Sequence, residues 1–552
     1  MPATHPVPDV SVIVIVHNDA GRLPRAVRSV LAQSLHRLEV IVVDDCSTDD
    51  TFAVARRLAA DDPRVRCLRL PVNSGGCGAP RNAGIDAARA PHLMFLDSDD
   101  ELPRHACKSL LLTAERTGTD FVTGEVTRLH EASGTTALWY PELFEGDVRV
   151  VDGIRADPRF FLDTLSTNKL YRAGFIARHG LRFPEGLHYE DGLFTARAFT
   201  LARSFAVVPW PVYIWRLAAD PATLSITSSR HRVENAADRV TVARLVDAFL
   251  EETGNTDLRP AKDARFLRHD LRLYLGDLPF RDRAWTEAFA AVVTPYLAGI
   301  DPAAYAAIPR EQRVCQYLLR TGRLAEAAEC ARTLDRPRLA PRHAVRDGTG
   351  RTYWGGTPPE DAEAAAELDI TDWRLDDQPF TTGPLRHEAE RITPRGAGLL
   401  ITLRTYDPGR LLAGPTPVTA ELRVAATGPA LTVPFAYDPP EGDGSVRTAE
   451  ITLAPSRVPL GPRGFRGRRH PVVVLERLGL TRSDPLLAPA ALPVLRTRTP
   501  GHTLSVRCED RGAGRLEITW ERAGLLGHAE SAAPLLEPAR RRLDRLTRRA
   551  TG

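Results

Sequence analysis

Lysine is scarce in this chain of 552 residues, occurring only at Lys108, Lys169 and Lys262. These follow Cys107, Asn168 and Ala261, whereas a Gly-x-x-x-x-Gly-Lys-Ser/Thr phosphate loop needs glycine directly before its lysine, so that loop is excluded. Cysteine is also sparse. The seven residues, Cys46, Cys67, Cys77, Cys107, Cys315, Cys330 and Cys508, are odd in number and contain no Cys-x-x-Cys pair, which speaks against a disulfide scaffold and a zinc finger. No window reaches the roughly 18 consecutive apolar residues of a membrane-spanning helix, and the most apolar run, Val10 to Val16, is strand-sized. Met1-Pro2-Ala3-Thr4-His5 has no basic segment followed by an apolar stretch, so the expected location is the cytoplasm. An excess of one charge is lacking too. The net charge is +3, which does not fit a general polyanion binder and gives no reason to expect nucleic acid as a partner.

What is present is an ordinary globular composition, 43% hydrophobic and 26% charged, with ample apolar surface for packed cores. The length suggests three or four domains, or two or three if one is a large α/β unit. Ser11 to Val16, Glu39 to Val43, Val65 to Leu70 and His92 to Leu96 are short apolar runs that read as buried parallel strands. Between them, Leu23, Ala26, Val27, Val30 and Leu31, then Phe52, Ala55, Leu58 and Ala59, recur at helical spacing. Residues 1–229 therefore read as an α/β domain with an open sheet. Residues 230–340 read as a helical connector, with windows such as Val233, Ala237, Val240, Leu245 and Phe249. Period-two stretches from 365 to 525, among them Leu399 to Leu403, Thr419 to Val424, Leu431 to Tyr437, Thr448 to Leu453 and Arg515 to Trp520, predict an antiparallel β-sandwich. Pro455 to Arg469 reads as an exposed loop and 526–552 as a basic tail.

In an open α/β sheet, ligands sit outside the carboxyl ends of the strands. The first strand ends at Val16-His17-Asn18, the second at Asp44-Asp45-Cys46-Ser47-Thr48-Asp49, and the fourth at Asp97-Ser98-Asp99-Asp100. Asp97-x-Asp99 sets two carboxylates together after a buried strand, a donor set suited to Mg²⁺ or Mn²⁺ and diphosphate oxygens. The other reading of that pair is an acidic cap for the helix after Pro103, and Asp44-Asp45 is open to the same reading as turn residues and caps. The third strand leads into Asn73-Ser74-Gly75-Gly76-Cys77-Gly78-Ala79-Pro80-Arg81-Asn82-Ala83-Gly84, which offers backbone N–H groups and one arginine at a helix start. With Arg81 in place of the third glycine it fails the Gly-x-Gly-x-x-Gly dinucleotide fingerprint, which disfavours a nicotinamide enzyme.

Taken together, Ser-Val-Ile-Val-Ile-Val-His-Asn at 11–18, Val-Asp-Asp-Cys-Ser-Thr-Asp at 43–49, the Asn73 to Gly84 loop, Leu-Asp-Ser-Asp-Asp at 96–100, Asn168-Lys169-Leu170-Tyr171, and Phe183-Pro184-Glu185-Gly186 before Glu190-Asp191 resemble a family 2 glycosyltransferase with the GT-A fold over residues 10–228. The resemblance implies that Asp45 faces the uracil of a UDP-sugar, that Asn73 and Arg81 hold the nucleotide, and that Asp97 with Asp99 engages ribose, diphosphate and metal. Ile15 and His17 belong to the same nucleotide site and stand where relatives often show proline and tyrosine. Cys46 replaces a frequent glycine, with no consequence visible in the sequence. Asp191, beside Glu190, is the implied catalytic base, since an inverting transfer needs a carboxylate at the acceptor hydroxyl. Arg216 in Tyr213-Ile214-Trp215-Arg216, ahead of Ser225-Ile226-Thr227, resembles a Tyr-x-x-Arg element that neutralises the leaving diphosphate. Core packing is the expectation for at least one of Trp210, Tyr213 and Trp215, and hydrogen bonding to neighbours that for His188 and His17.

The expected activity is metal-dependent, inverting transfer of a hexosyl or N-acetylhexosaminyl group from a UDP-sugar to a hydroxyl of a cell-surface glycopolymer or its lipid-linked precursor. Two rivals are a catalytically idle sugar-nucleotide or polymer-binding scaffold and a nucleotidyltransferase. The β region resembles, in layout only, the accessory domains of some wall-teichoic-acid glycosyltransferases, with homo-oligomerisation and polymer binding both open as its role. In the tail, Leu536, Ala539, Leu543, Leu546 and Ala550 form a stripe flanked by Arg540, Arg541, Arg542, Arg545, Arg548 and Arg549, compatible with peripheral contact to the inner face of the cell membrane or with a solvated terminus.

Overall fold

The computed structural model describes the chain outside residues 1–6, 219–228, 335, 337–338, 397, 425–430, 441, 455–465, 489–494, 500–501, 509–514 and 523–552. Ser225-Ile226-Thr227 and the basic tail lie outside the described residues. The chain divides into two units, one made of residues 1–274 and 287–308, the other of 275–286 and 309–552.

The first unit is built on a nine-stranded mixed sheet. Its elements open with β1 (Val10–Val16), α1 (Leu23–Leu31), β2 (Leu38–Asp44), α2 (Thr51–Asp61), β3 (Val65–Arg69), α3 (Gly78–Ala87), β4 (His92–Asp97) and α4 (Ala106–Thr117). They continue through β5 (Phe121–His130), β6 (Thr136–Leu138), β7 (Arg149–Val151), β8 (Lys169–Arg172), α5 (Ala173–Arg178), α6 (Glu190–Leu201), β9 (Phe205–Leu217), α7 (Val233–Glu252) and α8 (Arg259–Arg265). The strand order is β3-β2-β1-β4-β8-β5-β9-β7, with β6 on β5. Strands β3, β2, β1 and β4 run parallel, as the sequence predicts, while β8 is antiparallel to both β4 and β5.

β1 shows why a continuous apolar run forms a central strand. All seven of its residues are buried, because both faces of the sheet are covered. Alternate residues feed two cores: Ile13 and Ile15 pack with Ile41, Val43 and Phe95 on one face, and Val10, Val12, Val14 and Val16 with Val40, Val42, Met94 and Leu96 on the other. Each such side chain contributes about 1.5–3 kcal/mol relative to exposure. The helical reading of 233–249 holds for α7, but Leu245 is exposed while Asn235 and Arg239 are buried. A 3.6-residue apolar count could not anticipate that polar side chains of α7 find partners inside the unit. Among the described residues no helix is long and apolar enough to cross a membrane.

The second unit begins with short helices, including Arg310–Arg320 and Leu324–Ala331, and continues with sheets of seven and four strands. Leu399, Ile401, Leu403, Leu422, Ala449, Ile451 and Val473 of the larger sheet share one core with Val506, Leu516 and Ile518 of the smaller, a two-sheet β architecture. Two features depart from the sequence reading. One pair, Arg386–Arg395 with Leu480–Leu487, is parallel, which is open to strands joined through the rest of the sheet rather than by a tight hairpin. Arg466–Arg469, expected to be loop, is a strand paired with Leu516–Arg522; a partner that distant leaves no local signal.

Candidate active site

The register sets Val16 beside Asp44 and Ile15 beside Asp97, so the segments after β1, β2 and β4 leave the sheet at one edge. They open into a cleft of about 1060 Å³ in the first unit, whose lining includes all ten residues singled out from the sequence: Ile15, His17, Asp45, Asn73, Arg81, Asp97, Asp99, Glu190, Asp191 and Arg216.

One end of the cleft is built by the β1, β2 and β3 segments. The Asp45 carboxylate accepts from the Ser74 backbone N–H (3.0 Å), the Ser74 hydroxyl (2.9 Å) and the Asn73 amide (3.1 Å). His17 Nδ1 lies 2.9 Å from the Asp45 carbonyl and 3.1 Å from Asn73 Nδ2, and Ile15 is 6% exposed beneath them. Cys46 does have a structural consequence: its φ of 55° lies in the left-handed region, where a glycine avoids the Cβ clash. Glycine acts elsewhere by close approach. A Cβ on Gly78, at the start of α3, would meet the Pro184 carbonyl oxygen at 2.1 Å, so this glycine lets α3 dock on the segment that leads to Glu190.

The β4 end carries the acidic cluster. α4 starts at Ala106 with no side-chain cap, so Asp97 and Asp99 do not serve that helix. Asp99, with its side chain 39% exposed, has Arg22 Nη1 at 3.5 Å, and its carbonyl accepts from Arg25. Burial, and then the neighbouring Asp97, push the Asp99 carboxyl up to about 6. Burial raises Asp97 as well, and holds Asp100 well above the carboxylate range, although Asp100 accepts from the Tyr213 hydroxyl (2.6 Å) and the Arg216 N–H (2.7 Å). Among the described residues no group of three or more His, Cys, Asp or Glu is placed to hold a metal. Two adjacent, half-buried carboxylates lining the cleft nonetheless fit a hard divalent cation that takes its other oxygens from a diphosphate and water.

Arg81 joins the two halves of the cleft. It is 2% exposed, and its terminal nitrogens donate to Asp97 (2.8 Å), Asp191 (2.8 Å) and Glu190. Burial pushes the Glu190 carboxyl up to about 7; Arg81 pulls it down and Asp191 adds to the rise. The helix carrying the two acids begins after Tyr189, itself left-handed at φ 65°. Tyr189 is pinned by a hydroxyl bond to Asn235 and by the Arg239 guanidinium 3.7 Å from its ring centroid.

Other expected residues are engaged by protein partners. The Arg216 guanidinium bonds Glu101 and Glu131 (2.8 Å each), and His188 Nδ1 lies 2.8 Å from Asp238. Tyr213 is buried, and Trp215 meets Trp139 edge-on at 5.5 Å. Trp210 is 36% exposed and donates to Ser109. Residues not singled out from the sequence complete the cleft: Arg22, Trp139, and His269 with Asp270 on a π-helical stretch, Phe266–Leu271. Such stretches often mark functional sites but carry no sequence signature. Ser166, whose hydroxyl donates to Asp191, is likewise not singled out by the sequence; its one pointer there is the Asn168-Lys169 motif two residues on.

Comparison with known proteins gives the family and the fold. Residues 11–174 match the profile of glycosyl transferase family 2. EpsH of Bacillus subtilis is 34% identical over 38% of this chain, and the succinoglycan biosynthesis protein ExoO of Rhizobium meliloti is 30% identical over 48% of it. The chain spans 61% of the length of EpsH and 77% of that of ExoO. The crystal structure of Staphylococcus aureus TarS superimposes with a TM-score of 0.50 at 16% identity, covering 94% of this chain and 86% of TarS. The TarS 1–349 fragment in complex with UDP-GlcNAc does so with 0.50 at 20% identity, covering 64% of this chain and 98% of the fragment. The order of a mixed α/β sheet, a helical region and β sheets is thus the TarS fold, and on its sequence kinship with ExoO the chain belongs to glycosyltransferase family 2.

Proposed function

We propose that the chain transfers a sugar, with inversion, from a UDP-sugar to a hydroxyl of a cell-surface glycopolymer or its lipid-linked precursor. The observation that carries this reading is the meeting of Asp45, Asn73 and Asp97-x-Asp99 with Arg81 and Asp191 in one cleft, which sets a nucleotide-sized polar end beside a carboxylate. A scaffold has no need of that base, and a nucleotidyltransferase would be expected to carry a glycine-rich loop after its first strand. The acceptor class is supported by the relatives, since ExoO is a succinoglycan biosynthesis protein and TarS of S. aureus is a poly(ribitol-phosphate) N-acetylglucosaminyltransferase. The donor class is supported by the UDP-GlcNAc complex of TarS 1–349.

In this reading Ile15, His17, Asp45 and Asn73 bind the uridine. Asp99 and Asp97 would hold Mg²⁺ or Mn²⁺, whose charge stabilises the departing diphosphate. Arg81 keeps Asp97, Glu190 and Asp191 together as their charges develop, and Asp191 takes the proton of the acceptor hydroxyl. Arg216 reaches the diphosphate only after leaving Glu101 or Glu131. Catalysis is assigned to 1–229, polymer binding or self-association to 365–525, and peripheral contact with anionic lipid to 526–552. Incubation with UDP-, GDP- and dTDP-sugars and divalent metals, scoring donor hydrolysis, tests the reading. Turnover confined to UDP-sugars supports it, and none with any donor and metal overturns it in favour of a scaffold.

A further inference from the structure

The motif Asn168-Lys169 lies outside the steps described so far, yet it is among the most deeply buried polar segments of the first unit. Lys169 and Asp163 are both 0% exposed, with Nζ 2.8 Å from Asp163 Oδ2. Nζ also donates to the Leu165 carbonyl (2.6 Å) and Asn168 Oδ1 (2.9 Å). The Asp163 carboxylate further accepts from the Thr123 hydroxyl (2.7 Å) and Asn168 Nδ2 (3.1 Å). Residues 163–168 are thereby closed into a loop tied at both ends by one ion pair. A charge pair this deep is held only if every partner is in place, because an unpaired ion there is strongly penalised.

The loop touches one functional group. At its centre the Ser166 hydroxyl donates to Asp191 Oδ1 (2.9 Å), and the Ser166 N–H lies 3.3 Å from Oδ2. A second tie runs through Thr195, which donates to the Asp191 carbonyl (2.7 Å) and to the Thr164 carbonyl (3.3 Å). Oδ1 thus takes two short bonds, from Arg81 and Ser166, while among the described residues Oδ2 has only the long N–H contact.

We propose that Ser166, seated by the buried Lys169–Asp163 pair, is a positioning residue that fixes the rotamer of Asp191 and leaves Oδ2 as the oxygen that accepts the acceptor proton. This rests on the reading of Asp191 as the base. Ser166→Ala, Ser166→Thr, Lys169→Met and Asp191→Asn are compared in hydrolysis of the UDP-sugar that the donor panel identifies, with UDP affinity by calorimetry and melting temperature alongside. Ser166→Ala is expected to lower kcat by roughly 10–100-fold, the range for losing one hydrogen bond to a charged group, with donor KM and UDP affinity within about twofold. Ser166→Thr restores most of the loss, and Ser166→Ala adds nothing in an Asp191→Asn background, because it acts only through that carboxylate. Lys169→Met lowers kcat at least as far in whatever folded protein it yields. An Asp191→Asn variant that retains turnover overturns the base assignment itself. Loss in Asp191→Asn with an unchanged kcat in Ser166→Ala, or a Ser166→Ala effect that persists in full in the double variant, overturns the positioning role alone.

Discussion

Arg81 Nη1 donates to Asp191 Oδ1 at 2.8 Å across 110 residues of sequence, from a side chain that is 2% exposed. The guanidinium expected at the nucleotide pairs with Asp97, Glu190 and Asp191. One buried cation therefore lets three carboxylates sit side by side where two would already repel.

Asp191→Asn is expected to lower turnover by roughly 10²–10⁴-fold, the contribution of a positioned base, while UDP affinity changes little. A transfer or donor-hydrolysis assay beside UDP calorimetry measures both. A variant with most of its turnover removes Asp191 from the mechanism.

Glu190 makes stability pH-dependent in a stated direction. Its carboxyl keeps its proton up to about 7 in the folded chain, against an ordinary 4.5, so between those values the native state binds more protons than the unfolded one. Stability from this group is full below 4.5 and is lost as pH rises through 7. Glu190→Gln does not titrate. Its melting temperature relative to the parent should therefore rise from pH 5 to 7.5 and then level off; a constant difference would contradict the raised carboxyl.

UDP binding is expected to need Mg²⁺ or Mn²⁺ and to be lost both in Asp99→Ala and in excess chelator, since the diphosphate otherwise faces carboxylates unscreened. Strong metal-free binding, unaltered by the substitution, would remove the cation from the site.

Cys46→Gly should stabilise the first unit. Relief of a left-handed non-glycine residue is worth about 1–2 kcal/mol, against about 0.5–1 kcal/mol of added chain entropy in the unfolded state. A raised urea midpoint is the expected result, and a lowered one would mean that the Cys46 thiol, 3.7 Å from the Pro71 carbonyl, matters more than the backbone.

Gly78→Ala should cost about 1–3 kcal/mol, the range for overpacking, because its Cβ meets a backbone carbonyl rather than a flexible side chain. Reduced turnover should accompany the lower urea midpoint, as Pro184 precedes the Glu190-Asp191 turn. Unchanged stability would show that the 183–187 segment moves freely.

The amino-acid order by itself determined the parallel half of the sheet and the acids at its edge. Buried parallel strands are continuous apolar runs, helices repeat every 3.6 residues, and the polar residues after each strand fall at the ligand edge whatever follows. These are properties of neighbours in sequence, which is why Asp45, Asp97 and Asp99 are legible in it, whereas Asp191, in the first turn of α6, is pointed to only by the family resemblance. Only the tertiary structure decided that Arg81 lies beneath Asp191, that Arg216 is held by Glu101 and Glu131, and that a strand runs through Arg466–Arg469. It also decided that the antiparallel insertion of β8 between β4 and β5 brings Ser166 to Asp191. Each of these depends on partners far apart in the chain, chosen by burial and charge pairing in three dimensions, and no periodicity in the sequence encodes them.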